Sequence, residues 1–485
     1  MIASDEGPEW VRGFIGSINM STFISVFESI FAFYALSMLL VYMLLVVTAI
    51  LSSTRSSRSS CKNEVSVKSS CLTIPISIVS PAYNEERTVV RSVLSLLDIS
   101  YDSYEVIVIN DGSTDATMEK LIASFSLVQA DNAPLSMIDT QEVRAVYASM
   151  KYPNLTVVDK ENGGKADALN SGLNIARHPF FCAVDADSVL SQDALTRICR
   201  PFYSDDRVVA VGGTVRILNG LSYHGNTVTS YDAPRSLLAL FQVIEYARSF
   251  AYGRSGWKAT NGLLLISGAF GVFRKDSVLA VGGYRCATIG EDMELVLRLH
   301  RELSGRGTPY LIDHVSDAVC YTEAPEDLVS LRNQRIRWQR GLGESLVANS
   351  SFIFSKHAWV ASWIAYPFFF IYELLGPVVE LLGIFSLTIL YIYGLVDRHI
   401  FNLIIFSMVG MSLAVSAIAV ALSQRESPLV DNFRGKFVLF MAMIPEALIF
   451  RQAVNSWRTI GLFQWLAGKT SSWGHIVRIG DVSKT

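Results

Sequence analysis

Apolar and polar positions divide the chain into three stretches. Phe23 to Leu51 is almost uninterrupted apolar sequence, about 40 Å long as a helix against a hydrocarbon core of roughly 30 Å. It predicts a spanning helix with some tilt. From Leu72 to about Pro201 short β-rich runs alternate with helical stretches, the pattern of a parallel α/β domain. Thr73–Val79 and Glu105–Ile109 predict strands, Glu85–Leu97 the helix between them, and Phe180–Val184 a further buried strand. Residues 202–345 lose that alternation and carry glycine turns at Gly212-Gly213, Gly268 and Gly282-Gly283; they predict an extension of the same domain that completes its pocket. From Trp359 the chain is apolar again, in runs at 359–395, 401–423 and 437–450. The first is too long for one straight span and is broken at Pro377, and the last is short enough to be interfacial or re-entrant.

Composition agrees with this division. With 51% hydrophobic and 18% charged residues over 485 positions, the chain is too apolar for an ordinary soluble protein. A net charge of −3 without any dense basic run excludes a nucleic-acid surface. The acidic start, with Asp5, Glu6 and Glu9, does not resemble a cleaved signal, so the first helix is read as a retained anchor. Arg55, Arg58, Lys62 and Lys68 put the side after it in the cytoplasm and the N-terminus outside. Arg425, Arg434, Lys436, Arg451, Arg458 and Lys469 put the 424–436 loop and the C-terminus there too, which favours three full spans plus interfacial pieces. The expected order is an outer segment 1–22, a span 23–51, a Ser-rich linker 52–71, a cytoplasmic domain 72–345 and membrane and interfacial helices 346–485. The six cysteines, including Cys61 and Cys71 in the linker, show no metal spacing, and reduced thiols are expected.

Candidate chemistry collects at the strand ends. Asp111 follows the strand 105–109, where ligands of open parallel sheets bind, and a nucleotide contact is expected of it. Asp185 and Asp187 end the 180–184 strand. They read either as a turn with solvated carboxylates or as holders of a divalent cation that neutralises a diphosphate leaving group. Asn162-Gly163-Gly164-Lys165 predicts a glycine turn opening a helix, with Lys165 offered to phosphate, although its spacing is not that of a P-loop. Gly290-Glu291-Asp292 opens another helix; acids are favoured there by the helix dipole alone, but a sugar hydroxyl also needs a carboxylate to take its proton. Asp292 is assigned that role with Glu291 in support, and Glu294 is the expected decoy. Gln334, Arg337 and Trp338 fall on one helical face and suit a pocket that stacks a sugar ring and pairs a diphosphate. The plainer reading is a membrane-surface helix with Arg332, Arg335 and Arg340 snorkelling. Glu373 and Glu380 lie in an apolar run, where each costs about 2.5–3.5 kcal/mol at mid-membrane; they either line a polar channel or pair within a helix bundle.

Taken in order, these motifs resemble the processive inverting family-2 glycosyltransferases, the group of cellulose, chitin, hyaluronan and poly-N-acetylglucosamine synthases. The resemblance covers roughly Ile74 to Gly341 and the flanking membrane layout. It implies an α/β GT-A domain, a Rossmann-like nucleotide-diphospho-sugar transferase, embedded between transmembrane helices. It implies that Pro81, Ala82, Tyr83 and Glu85 belong to the segment that meets the nucleotide base, and that Asp111, Lys165 and Asp185 bind the nucleotide sugar. Asp185 and Asp187 would hold Mg²⁺ or Mn²⁺, and Asp292 would be the base, although Gly290 stands where threonine is common. Ser267 and Gly268 would lie near the sugar acceptor, with Gln334, Arg337 and Trp338 in the motif associated with processive synthesis. A UDP-sugar donor, a glycan acceptor, the lipid bilayer and accessory export subunits are the implied partners. The implied location is a bacterial or archaeal plasma membrane, multi-pass, with the catalytic domain in the cytoplasm. The short N-terminal region, the absence of an added regulatory domain and the Lys165–Asn170 segment look most like the poly-N-acetylglucosamine type, so N-acetylglucosamine leads glucose as donor. Two rival readings stand beside this one. The first is single transfer to a polyprenyl-phosphate or ceramide-type lipid; the second is a non-catalytic sugar-nucleotide sensor.

Overall fold

The computed structural model describes residues 29, 31, 33–51, 73–130, 137–224 and 227–469. The expected outer segment, the linker with its basic residues, and Cys61 and Cys71 lie outside the described residues. Twelve strands are described: β1 (Ile76–Ala82), β2 (Tyr104–Asp111), β3 (Leu127–Ala130), β4 (Val143–Ser149), β5 (Leu155–Lys160), β6 (Phe180–Val184), β7 (Val189–Leu190), β8 (Val208–Ile217), β9 (Leu221–His224), β10 (Thr227–Tyr231), β11 (Phe270–Arg274) and β12 (Leu311–Thr322). Ten of them form one sheet in the order β3-β4-β5-β2-β1-β6-β11-β8-β12-β7, and β9 and β10 pair separately. The centre β5-β2-β1-β6 is parallel, as the alternation predicted. Strand β4, between the edge strand β3 and β5, the inserted β11 and the short edge strand β7 run antiparallel to their neighbours, so the sheet is mixed. Within residues 202–345, β8, β11 and β12 continue the same sheet.

Strand periodicity explains the two layers around the sheet. Val79, Ile107, Ile109 and Val158 face one core with Leu169 and Leu173, while Ile78, Val106, Val108 and Val157 face the other with Val93, Leu96 and Phe125. Residues two apart share a face, and a run buried on both faces is mostly apolar, its exceptions paired, as Ser77 is with Glu105 at 2.6 Å. Helix α1 (Val89–Leu97) covers the second face and helix α2 (Lys165–Ile175) the first. A Cβ at Gly172 would lie 2.3 Å from Val79 Cγ1, so only glycine lets α2 settle this closely on β1. The first helix of the domain begins at Val89 instead of the expected Glu85, because Glu85 and Glu86 are held in a turn through backbone bonds to Thr117 and Asp115.

Among the described residues three helices are long and apolar enough to cross a membrane: Phe33–Leu51, Phe401–Glu426 and Phe433–Leu466. Val360–Leu374 and Gly376–Ile392 form a pair bent by 48° that makes a fourth if counted as one span. The break falls one residue before Gly376-Pro377, as the proline predicted. One expectation is corrected. The apolar run at 437–450 is not a short interfacial piece but part of a 34-residue helix, because the helix runs on past Pro445 through a π-helical turn at Glu446–Phe450 that absorbs the missing backbone donor.

Polar side chains aimed at loose backbone tie the sheet domain to these helices and the helices to one another. Arg216 of β8 donates to the carbonyls of Ser423, Ser427 and Pro428 at 2.7–3.0 Å, capping the helix that ends at Glu426. Gln339 donates to the carbonyls of Glu373 and Leu374 at 3.2 and 2.8 Å, and Arg458 donates to Glu373 O at 2.6 Å. A broken membrane helix is tolerated where its freed carbonyls find such donors.

Candidate active site

The carboxyl ends of β1, β2, β5 and β6 open on one cavity of about 2910 Å³ that continues among the helices long and apolar enough to cross a membrane. That places it well beyond the roughly 300–1,000 Å³ of an ordinary small-molecule pocket. Every site residue named from sequence lines it: Pro81, Ala82, Tyr83, Glu85, Asp111, Lys165, Asp185, Asp187, Ser267, Gly268, Glu291, Asp292, Gln334, Arg337 and Trp338.

Asp111 is buried, and its carboxylate is fully engaged. Oδ1 accepts from Lys160 Nζ at 2.7 Å and Gly163 N at 3.0 Å; Oδ2 accepts from Gly164 N at 2.8 Å and Asn162 Nδ2 at 3.3 Å. Four donors fill the roughly four acceptor positions of a carboxylate. Asp111 therefore shapes the Asn162–Gly164 turn, where Gly164 has φ +85°, and through it the start of α2. Lys160, fully buried and also paired with Asp167 at 2.6 Å, was missed from sequence. Its position at the carboxyl end of a parallel strand was the available signal.

Lys165 sits at the centre of the acidic cluster. Its Nζ lies 2.6 Å from Asp185 Oδ1 and 3.3 Å from Glu291 Oε1. Burial alone would lower its pKa, but Asp185 and Glu291 outweigh that and hold it well above the ordinary lysine range. Glu291 is pushed up by burial, with Lys165 pulling the other way and Asp292 adding to the rise. Asp292 opens helix α3 (Glu291–Gly305); its Oδ1 accepts from Met293 N at 2.7 Å and its Oδ2 from Gly268 N at 3.0 Å. Each oxygen keeps lone-pair capacity toward the cavity. A Cβ at Gly268 would lie 2.9 Å from Lys165 Nζ and 3.5 Å from Asp292, so this glycine lets the two halves of the site meet. Glu294 is fully buried and bound to Arg298 and Arg285, the structural role expected of the decoy.

Asp185 and Asp187 flank the buried Ala186 on the cavity wall. Among the described residues no group of three or more His, Cys, Asp or Glu side chains could hold a metal. Two accessible carboxylates form a hard oxygen donor set that fits Mg²⁺ or Mn²⁺ completed by phosphate oxygens and water.

Gln334, Arg337 and Trp338 lie on helix α4 (Leu328–Ala348), with the Trp338 indole 44% exposed in the cavity. The expected snorkelling of Arg335 and Arg340 is corrected: both are buried. Arg335 binds Glu245 at 2.6 Å, and Arg340 donates to Lys469 O. Only Arg332 stays exposed. Gly290 also has a local reason, since a Cβ there would lie 2.8 Å from Gly341 O on α4. Arg254 is a second cavity residue missed from sequence; its guanidinium stacks 3.8 Å over Phe250 in the π-helical segment Ser249–Arg254, where no periodic pattern marks it. Deeper in, Glu373 pairs with Arg458 at 2.9 Å and Glu380 accepts from Asn455 at 2.7 Å. Both glutamates line the cavity and both are paired, as the helix-bundle alternative expected.

Residues 75–341 match the family described as "Glycosyltransferase like family 2". The chain is 31% identical over 272 residues to the poly-beta-1,6-N-acetyl-D-glucosamine synthase of Staphylococcus aureus (strain COL), covering 56% of this chain and 55% of that one. It is 30% identical over 273 residues to the Staphylococcus epidermidis protein of the same name, with the same coverage. The chain thus spans about half the length of the curated relatives it matches. Among solved structures it is similar to the mannosyltransferase PcManGT from Pyrobaculum calidifontis in complex with GDP-Man and Mn²⁺, at 15% identity and a TM-score of 0.49 over 88% of this chain and all of that one. It is also similar to residues 1–349 of S. aureus TarS in complex with UDP, at 14% identity and a TM-score of 0.38 over 84% and 95% of the two chains.

Proposed function

The chain belongs to the family-2 glycosyltransferases, and from that premise we propose a membrane-bound inverting polysaccharide synthase that uses a UDP-sugar, N-acetylglucosamine before glucose. The observation that carries this reading is the continuity of one cavity from Lys165, Asp185 and Asp292 past Trp338 to Glu373, Glu380, Asn455 and Arg458 among the membrane helices. A site that only moved one sugar to a soluble acceptor would have no use for that extension. The names of the staphylococcal relatives support the donor choice.

In this reading the acceptor sugar stacks on Trp338 and presents its hydroxyl to Asp292. Asp292 takes the hydroxyl proton as the oxygen attacks the anomeric carbon and the bond to the diphosphate breaks, with UDP leaving on the opposite face. One base and one displacement invert the linkage; a retaining route would need a covalent partner. Lys165 and Arg337 offset the charge on the departing diphosphate. Asp185 and Asp187 would hold a divalent cation, which would supply further neutralisation of that charge when bound. Tyr83 and Glu85 line the nucleotide end, where the Asp111-anchored turn presents the Gly163–Lys165 backbone. The catalytic domain would face the cytoplasm of a bacterial or archaeal plasma membrane, with the product entering the helix bundle for export, alone or with accessory subunits.

A second reading, transfer of one sugar to a lipid, is favoured by one feature. The far part of the cavity is lined by aliphatic side chains, among them Leu387, Leu390, Leu403, Ile404 and Met408. Purified protein supplied with UDP-N-acetylglucosamine or UDP-glucose separates the two by UDP release and digestion of the product with linkage-specific hydrolases. Polymer sensitive to such an enzyme is expected; an organic-extractable monosaccharide lipid as sole product would overturn the synthase reading.

A further inference from the structure

Helix α4 is held against the 237–248 helix by an ion pair that no sequence motif required. Arg335 is fully buried. Its Nη2 lies 2.6 Å from Glu245 Oε2, its Nη1 donates to Gln334 Oε1 at 2.8 Å, and its guanidinium carbon sits 4.3 Å from the centre of the Trp338 ring. The guanidinium is thus clamped between a carboxylate and the indole, which is 44% exposed and lines the cavity. Arg335 and Trp338 are three residues apart on one helical face, and so are Glu245 and Arg248 on the other helix. Arg248 in turn meets Glu446 of the 433–466 membrane helix with two bonds of 2.7 and 2.8 Å, and Ser416 of the 398–426 helix at 2.9 Å. Glu446 is fully buried. A line of charge therefore runs from a membrane segment to the indole: Glu446, Arg248, one turn of helix, Glu245, Arg335, Trp338.

We propose that Glu245 and Arg335 are positioning residues that set the Trp338 indole as the acceptor platform, and that the membrane helices fix their place through Glu446 and Arg248. The proposal rests on the reading of Trp338 as the surface that stacks the acceptor sugar. The physical case is one of geometry. A cation stacked on an indole face constrains its tilt, and a bidentate-capable fork held by a carboxylate constrains the cation. An indole has two rotatable side-chain bonds, and among the described residues it packs against one aromatic ring, Tyr246, with centroids 6.5 Å apart. Without Arg335 beneath it, little else would hold it flat to the cavity.

The test uses full-length protein in detergent, with whichever of UDP-N-acetylglucosamine or UDP-glucose the wild type turns over and a β-linked oligosaccharide of that sugar as acceptor. Trp338→Ala should raise the acceptor KM and leave the donor KM in place. Glu245→Gln should do the same, by about tenfold, because it acts only through the platform. Glu245→Asp, which keeps the charge, should recover most of the loss. Should Glu245→Gln not fold, Arg335→Lys keeps the charge but loses the fork and the stack, and carries the same expectation. A fall in kcat with the acceptor KM unmoved, or donor and acceptor KM rising together, would mean an ordinary structural pair and overturn the proposal. If Trp338→Ala itself leaves the acceptor KM unmoved, the platform reading fails first, and the pair has nothing to position.

Discussion

Replacing Asp292 by asparagine removes the proposed base with almost no change of shape. Its Oδ1 and Oδ2 each accept one backbone N–H, from Met293 at 2.7 Å and Gly268 at 3.0 Å. Asparagine can satisfy one of these but must set an NH₂ against the other donor, losing one hydrogen bond to a charged group, about 1.5–3 kcal/mol in general and nearer the lower figure at a half-open site. The melting temperature should fall by about 2–5 °C on that account. The kinetic cost is separate and larger. A positioned general base contributes about 10²–10⁴ in rate, or about 3–5 kcal/mol of barrier. UDP binding does not involve the acceptor proton, so the UDP dissociation constant should move by less than about threefold, which is under about 0.7 kcal/mol. Turnover is read by UDP release at saturating donor, and affinity by titration calorimetry on the same preparation. Transfer by Asp292→Asn within about threefold of wild type would remove Asp292 from the chemistry. Rate and UDP affinity falling together would show that the residue shapes the donor site instead.

Asp111→Asn should weaken UDP binding by about tenfold or more, measured by calorimetry, because an amide cannot accept from all four donors that now hold the 162–164 turn, and buried Lys160 loses one of its two charged partners. Exhaustive chelation should abolish transfer and Mg²⁺ or Mn²⁺ restore it; transfer surviving chelation would remove the metal role of Asp185 and Asp187. Burial lowers His300 to about 4. Between the ordinary value of 6.5 and about 4 the unfolded chain therefore holds a proton that the folded chain lacks, so stability present above pH 6.5 is lost as pH falls, by up to about 3 kcal/mol. Thermal melts across that range should flatten in His300→Gln. Arg458→Met removes the partner of Glu373 and a donor to its carbonyl, and the partly exposed pair should cost about 1–3 kcal/mol, read as a drop in melting temperature.

Much of this architecture was legible in the linear chain because it depends on local periodicity. Short runs rich in β-branched and apolar residues marked β1, β2 and β6, since strands buried on both faces tolerate few polar residues. The acids placed just after them, Asp111, Asp185 and Asp187, line the shared crevice because parallel strands end on the same side of a sheet. Membrane helices were legible for a similar reason: about 20 apolar residues have few other uses. The last helix outruns its apolar stretch because Arg451 and Gln452 resemble an end, whereas the turn at Glu446–Phe450 carries the helix past Pro445 and on through Leu466.

What the chain alone determined is the inventory: a sheet with acidic strand ends, a helix starting at Glu291, an aromatic motif at Trp338 and apolar flanks. Tertiary structure decided how those parts are used. Asp111 became the anchor of a glycine turn because Lys160 and three other donors converge on it. Arg335 turned inward because Glu245, 90 residues earlier in the chain, waits on a neighbouring helix. Glu373 and Glu380 could enter the helix bundle because Arg458 and Asn455 meet them there. The reason is the same in each case: a polar group removed from water must find its partner inside the fold, and that partner's distance along the chain leaves no periodic trace.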